Sequence, residues 1–177
     1  MAGNGSATRR QAEVAVVGFE GMTGLGLVHG SLRSPCEIFM QAEGEVQCIS
    51  ADTFCRVLEE SRSLLKRCLW YAHVFGVQSA WTALANAHGK IKERLSRRLL
   101  MAQDRLQSEK LLLTHEFLSI MLGVRRAGVT TALQELERRS LIATARGQIT
   151  ILDRDGLVET ANGLYGTPEA EFERLFG

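Results

Sequence analysis

Five arginines, Arg125, Arg126, Arg138, Arg139 and Arg146, lie between Thr114 and Leu152 against three glutamates, Glu116, Glu135 and Glu137. A guanidinium is a planar fork of donors that matches both phosphate oxygens and the O6/N7 edge of guanine. Thr114, Thr130, Thr131 and Gln134 add short hydroxyl and amide groups that donate and accept hydrogen bonds. A set of this kind breaks no bond; it holds an anionic polymer by charge and reads it by hydrogen bonding. The chain has 177 residues and a formal charge of only +1, so any attraction to phosphate is local to this segment.

Nucleophilic and metal chemistry find no comparable set. His29, His73, His88 and His115 are scattered, with no Asp or Glu completing an acid/base pair and no nucleophile motif, so no enzyme is expected. Cys36, Cys48, Cys55 and Cys68 stand 12, 7 and 13 residues apart without a CxxC. That spacing matches no metal or cluster signature, so no metal and no cofactor is expected, and the four are read as reduced, mostly buried thiols.

The elements that must position the arginines follow from apolar spacing. Thr114 is a good N-cap, and Phe117, Leu118, Met121 and Leu122 give the helix behind it one apolar face. Gly123-Val124 supplies a tight turn. A second helix then runs from Arg125 to about Arg138 with Val129, Ala132, Leu133 and Leu136 inward. Arg126, Ala127, Thr130, Thr131 and Gln134 are left on its outer side. Two short helices about a glycine turn are the helix-turn-helix arrangement, in which the second helix enters the major groove. Leu141-Ile142 and Ile149-Thr150-Ile151 flank Arg146-Gly147 as a wing hairpin that carries Arg146 towards a phosphate or the minor groove. This places Thr114, Arg125, Arg126, Thr130, Thr131, Gln134 and Arg146 as the expected contacts to double-stranded DNA, with Arg126 reading guanine.

Upstream the pattern differs. Glu13 to Val17, Glu37 to Gln41 and Glu45 to Ile49 read as short strands broken by turns at Gly18, Gly21, Gly24, Gly26 and Gly30. A short helix capped by Ser50 or Asp52 follows to about Leu58, then a long helix from about Ser63 to Ala87. On it Leu65, Leu69, Ala72, Gly76, Ser79 and Ala83 recur at intervals of 4, 3, 4, 3 and 4, the seam of a helix pair, so a homodimer is expected. Leu64, Cys68, Tyr71 and Phe75 form a second stripe facing the strands. Asn86 to Gly89 is a hinge. Lys90 to Arg105 continues as a helix with Ile91, Leu95, Leu99 and Ala102 inward and Lys92, Arg94, Arg97 and Arg98 on a solvated outer face. Met1 to Arg10 reads as a flexible tail without the apolar core of a signal peptide, and no apolar run spans a bilayer, so a cytoplasmic protein without a membrane partner is expected.

The order of these parts resembles the Crp/Fnr family of bacterial transcription regulators. The match is carried by Leu113-Thr-His-Glu-Phe-Leu118, Leu122-Gly-Val-Arg-Arg126, Val129-Thr-Thr-Ala-Leu133 and Arg146-Gly-Gln-Ile-Thr-Ile-Leu-Asp153. The resemblance implies an α+β fold in three parts: a shortened cyclic-nucleotide-binding-like antiparallel β-roll over 1–58, a dimerisation helix and hinge over 59–89, and a winged helix-turn-helix over 90–177. It implies a homodimer that binds double-stranded DNA under control of a small effector, with RNA polymerase as a candidate partner. Thr114 matches the family's phosphate-contacting helix start and Arg126 its guanine-reading arginine. Ala127 stands in place of a base-reading glutamate and Thr131 in place of a second arginine, so the usual operator does not follow. Arg33 and Ser34 match the Arg-Ser pair of the phosphate-binding cassette and are the expected effector contacts. Leu25, however, replaces the cassette's glutamate, which argues against a cyclic nucleotide and leaves the effector unnamed. The family's roll also begins well upstream, so its first several strands are expected to be missing here. The alternative function is a protein-interaction module whose winged domain has weak or lost DNA binding.

Overall fold

The computed structural model describes residues 13–177. The expected tail, Met1 to Arg10, lies outside them. The fold is α+β, with seven helices and one small antiparallel sheet among the described residues. Helix α1 (Ala51–Glu60) starts where the Ser50 hydroxyl accepts the Thr53 N–H at 3.2 Å. Helix α2 (Arg62–His88) is capped in the same way by Ser61 on Leu64 and ends at Gly89. Helix α3 (Ile91–Leu106), strand β1 (Lys110–Leu111), and helices α4 (His115–Leu122) and α5 (Arg126–Arg138) follow. Strands β2 (Ile142–Ala145) and β3 (Gln148–Ile151), then α6 (Arg154–Thr160) and α7 (Thr167–Phe176), complete the order. The sheet runs β1-β3-β2, with Lys110 opposite Thr150 and Ala145 opposite Gln148.

The expected strands of the β-roll do not form: residues 13–50 carry turns and one 3-10 turn at Leu27–His29 but no strand. The glycine turns are present, with Gly24 and Gly30 at φ 80° and 78°. The backbone of 13–17 finds helices as partners instead. Glu13 N–H donates to Met121 O (3.4 Å), Val16 N–H to the Gln78 side-chain carbonyl (2.6 Å), and Arg105 Nε donates to Val16 O (3.3 Å). Residues 31–40 lie exposed, including Leu32, Ile38, Phe39 and Met40.

A second correction concerns α3. Its arginines were expected on a solvated face, yet Arg97 and Arg98 are 5% and 3% exposed. The N-terminal segment and α2 cover the side that would otherwise face water, so every residue from Leu95 to Ala102 is buried. Arg97 donates to Leu164 O (3.0 Å) and to the Thr82 hydroxyl (3.1 Å). Arg98 pairs with Glu13 at 3.1 Å and donates to Gln41. Burial lowers the Arg98 pKa to about 10, still charged at neutral pH, while burial raises that of Glu13 against the pull of Arg98. A buried charge needs such a partner, because removing one member leaves the other uncompensated.

The cysteines also depart from expectation. Cys68 is buried, but Cys36 and Cys48 are exposed because the segment carrying them runs uncovered. The second stripe of α2, expected to face strands, is covered by α1 and the glycine turns instead: Cys68 and Tyr71 are buried, and Leu64 packs on the small core of Phe54 and Leu58.

Helix α7 packs back on α2. Trp70 meets Phe176 edge-on at 6.0 Å, and Glu171 accepts from His73 Nε2 at 2.8 Å and from Arg174 at 2.7 Å. The Arg174 bond first, then His73, pulls the Glu171 carboxyl down to about 2 from 4.5. A carboxylate held below its usual value favours the folded state while ionised, so its contribution is complete above pH 4.5 and fades as pH falls towards 2. Solvent screens the pair, which keeps the effect small. Tryptophan emission should report a loosening of α7 in that window, and Glu171→Gln should remove this pH-dependent step. An identical step in the variant rejects the assignment.

Candidate nucleic-acid interface

Helix α4 begins at Thr114, whose hydroxyl accepts the Phe117 N–H at 3.1 Å. Leu118, Met121 and Leu122 turn into the core with Phe117 half-buried at its edge, and Gly123 ends the helix at φ 61°, ψ 34°. That left-handed backbone suits a residue without a Cβ. It sends the chain straight into α5, whose inward residues are the four read from the sequence: Val129, Ala132, Leu133 and Leu136 are all at most 5% exposed. The two faces of α5 are thereby fixed.

Arg125, Arg126, Ala127, Thr131 and Gln134 are exposed on its other side. Glu116, on the preceding helix, is a carboxylate that could neutralise Arg126; no such ion pair forms, and the Arg126 guanidinium has no partner among the described residues. Thr131 donates its hydroxyl to Ala127 O at 3.1 Å, a bond within the helix that leaves the lone pairs outward. Thr130 is placed differently. Its hydroxyl donates to Arg126 O at 3.1 Å and therefore accepts from His115 Nδ1 at 3.0 Å, which fixes that nitrogen as the protonated one. Thr130 thus braces α5 on the start of α4.

The wing is held to α5 by Glu137. Its carboxylate accepts both the backbone N–H and the hydroxyl of Thr144 at 2.9 Å, and these bonds pull its pKa below the ordinary value. Gly147, at φ 72°, closes the hairpin and leaves Arg146 exposed at the tip. On the other flank Glu135 pairs with Lys92 of α3 at 2.6 Å, and Arg139 donates to Thr160 at 3.0 Å. Glu135, Glu137 and Arg139 are thereby engaged by Lys92, Thr144 and Thr160, while Arg125, Arg126 and Arg146 keep free donors. The bracing by His115, Glu137 and Lys92 was not read from the sequence, because pairs separated by 15, 7 and 43 residues leave no periodic signal.

Two helices fixed by these contacts, with an arginine-bearing outer face and a wing behind it, match a family model described as the Crp-like helix-turn-helix domain over residues 93–160. Residues 93–160 thus resemble a Crp-like helix-turn-helix domain. Two solved structures share the fold of more than half of this chain. One is a CRP/FNR-family transcriptional regulator from Thermus thermophilus, with 25% identity, 59% of this chain and 57% of that chain covered, and a TM-score of 0.54. The other is a CRP-family transcriptional regulator from the same organism, with 24% identity, 56% and 54% covered, and a TM-score of 0.50. The chain spans a little over half the length of the solved structures it matches. No curated protein matches it.

The Crp-like domain ends at α6, so α7 lies beyond it. The expected effector contacts do not come together. Arg33 and Ser34 are exposed; Ser34 donates to Cys36 O at 3.0 Å, and the Arg33 N–H is held by Ser31. The expected dimer seam is split. Ala72 is buried by its own chain and Ser79 donates to Phe75 O, while Leu69, Gly76 and Ala83 face outward. None of the helices of the described residues is long and apolar enough to cross a membrane.

Proposed function

We propose that the protein is a sequence-specific DNA-binding transcription regulator acting as a homodimer, with α5 in the major groove. The observation that carries this reading is the free outer face of α5, where Arg126 and Gln134 stand exposed and unpaired above a rigid, buried inner face. Arg126 and Gln134 address base edges, and Thr114, Arg125, Thr131 and Arg146 address phosphates.

The homodimer is supported by the outer side of α2. No Asp, Glu, Lys or Arg occurs between Arg67 and Lys90, and Leu69, Gly76, Ala80, Ala83 and Leu84 are exposed. From Leu69 to Ala87 this strip runs about 27 Å along the helix. An uncharged strip of that length on a water-facing helix marks a contact surface. Two copies packed through it would set two α5 helices on half-sites about one helical turn apart.

Selection of bound sequences from a random duplex pool tests the reading, with a two-fold symmetric motif expected. The chain folded and dimeric but without salt-dependent affinity for any duplex would overturn it. Arg146→Ala separates phosphate contact from base reading: affinity should fall alike for all sequences, and the salt slope should drop by about one ion. A change of preferred sequence with an unaltered slope would assign Arg146 to a base instead.

A further inference from the structure

His115 is the first residue of α4, next to Thr114, and its ring bonds to Thr130 on the row of α5 that also carries Arg126 and Gln134. We propose that His115 is a further DNA contact, whose Nε2 binds a backbone phosphate only when it is protonated. The inference rests on the DNA reading above and places that same surface under proton control.

Thr130 decides which ring nitrogen is free. Its single hydroxyl proton goes to Arg126 O at 3.1 Å, so the 3.0 Å bond to His115 is donated by Nδ1–H. With that proton committed, the neutral ring offers only a lone pair at Nε2, which a phosphate oxygen repels. A proton on Nε2 turns it into a charged donor that a phosphate oxygen accepts, and imidazoles gain and lose that proton between about pH 5 and 8. The two nitrogens point apart, so a ring anchored on α5 through Nδ1 directs Nε2 away from Thr130. The ring is half-buried, and Nε2 has no hydrogen-bond partner among the described residues yet is open to solvent. A DNA backbone that meets Thr114 while α5 lies in the groove passes along this edge.

The charged groups of the surrounding elements leave the ring without a counter-ion. Glu116 follows it on α4, and Arg126 stands one turn before Thr130 on α5. Lys110 lies on β1, and Glu37 on the segment whose Phe39 meets Phe117 edge-on. Arg94 and Arg98 of α3 reach α4 at its other end, at Leu122 O and the Met121 sulfur. None of these groups forms an ion pair with His115 among the described residues. A phosphate is the anion that the protonated ring lacks in the free protein, so binding DNA draws a proton onto Nε2, and acidification tightens binding.

Fluorescence anisotropy of the full chain on the selected duplex, from about pH 8 to about pH 5.5 at several salt concentrations, tests it. The parent should tighten by about tenfold per protomer on acidification, the size of one charge-assisted hydrogen bond, and its salt slope should steepen by about 0.9 per protomer. His115→Asn keeps an N–H near the Nδ1 position to donate to Thr130 and has nothing at the Nε2 position, so it should lose both changes and match the parent only at the alkaline end. His115→Arg carries a permanent donor and should hold the steep slope at every pH; it also serves if the Asn variant melts early. A parent whose slope does not vary with pH would overturn the proposal, as would His115→Asn with the parental pH profile. An Asn variant weaker by one factor at every pH would make His115 a brace alone and overturn it too. Binding with a pH profile that His115→Asn shares leaves the DNA reading standing and strikes only this contact, whereas no binding to any duplex at any pH overturns both.

Discussion

Arg126→Ala should lower affinity for the selected duplex by about 5- to 150-fold, equivalent to the about 1–3 kcal/mol of a bidentate arginine–guanine contact, and should relax preference at one base position of each half-site. The folded protein loses nothing by the change. Arg126 is the first residue of α5, is exposed, and has no partner among the described residues. A positive charge at a helix N-terminus opposes the macrodipole, so its removal is neutral to slightly favourable for α5. Thermal melts of the variant should therefore match those of the parent. Fluorescence anisotropy at fixed salt reads the loss, and Arg126→Lys should recover charge without restoring the base preference, because an ammonium cannot make the forked contact. Unchanged affinity and preference in Arg126→Ala would remove it from the reading surface.

The helix-turn-helix half of the molecule was legible because its signals are local and periodic. Four inward residues of α5 define its outer face by subtraction, a threonine cap and a left-handed glycine bound α4, and Arg146-Gly147 closes a two-residue hairpin. Each is a short-range constraint that tertiary packing reinforces. The N-terminal region was misread for the opposite reason. Glu13 to Val17 has the composition of a strand, but a strand needs a neighbour, and Met121, Gln78 and Arg105 supply its backbone partners from helices more than sixty residues away. The same contacts bury Arg97 and Arg98, whose charge had marked them as solvated. Composition cannot tell a solvated arginine from one covered by a distant carboxylate such as Glu13. Helix α7 lies past residues 93–160, and its packing on α2 has no sequence signature, since the two helices are far apart in the chain.

The homodimer makes the second large prediction. Ala83 lies on the seam read from the sequence and is exposed in the single chain, so Ala83→Glu introduces no clash and buries no charge in the monomer. In a two-fold pairing through α2, each new carboxylate would enter an apolar contact facing its own copy or near it, where like charges and desolvation both oppose association. Sedimentation should show the parent as a dimer and the variant as a monomer with the same helix content. Binding to a duplex with two half-sites should then fall by about 10²–10⁴-fold, the gain that linking two sites provides, while binding to a single half-site stays at the parental level. Ala72→Glu is the informative contrast: Ala72 is buried by its own chain, so that change should unfold the monomer instead of only separating the pair. A parent that sediments as a monomer would refute pairing through α2, and so would an Ala83→Glu variant that remains dimeric.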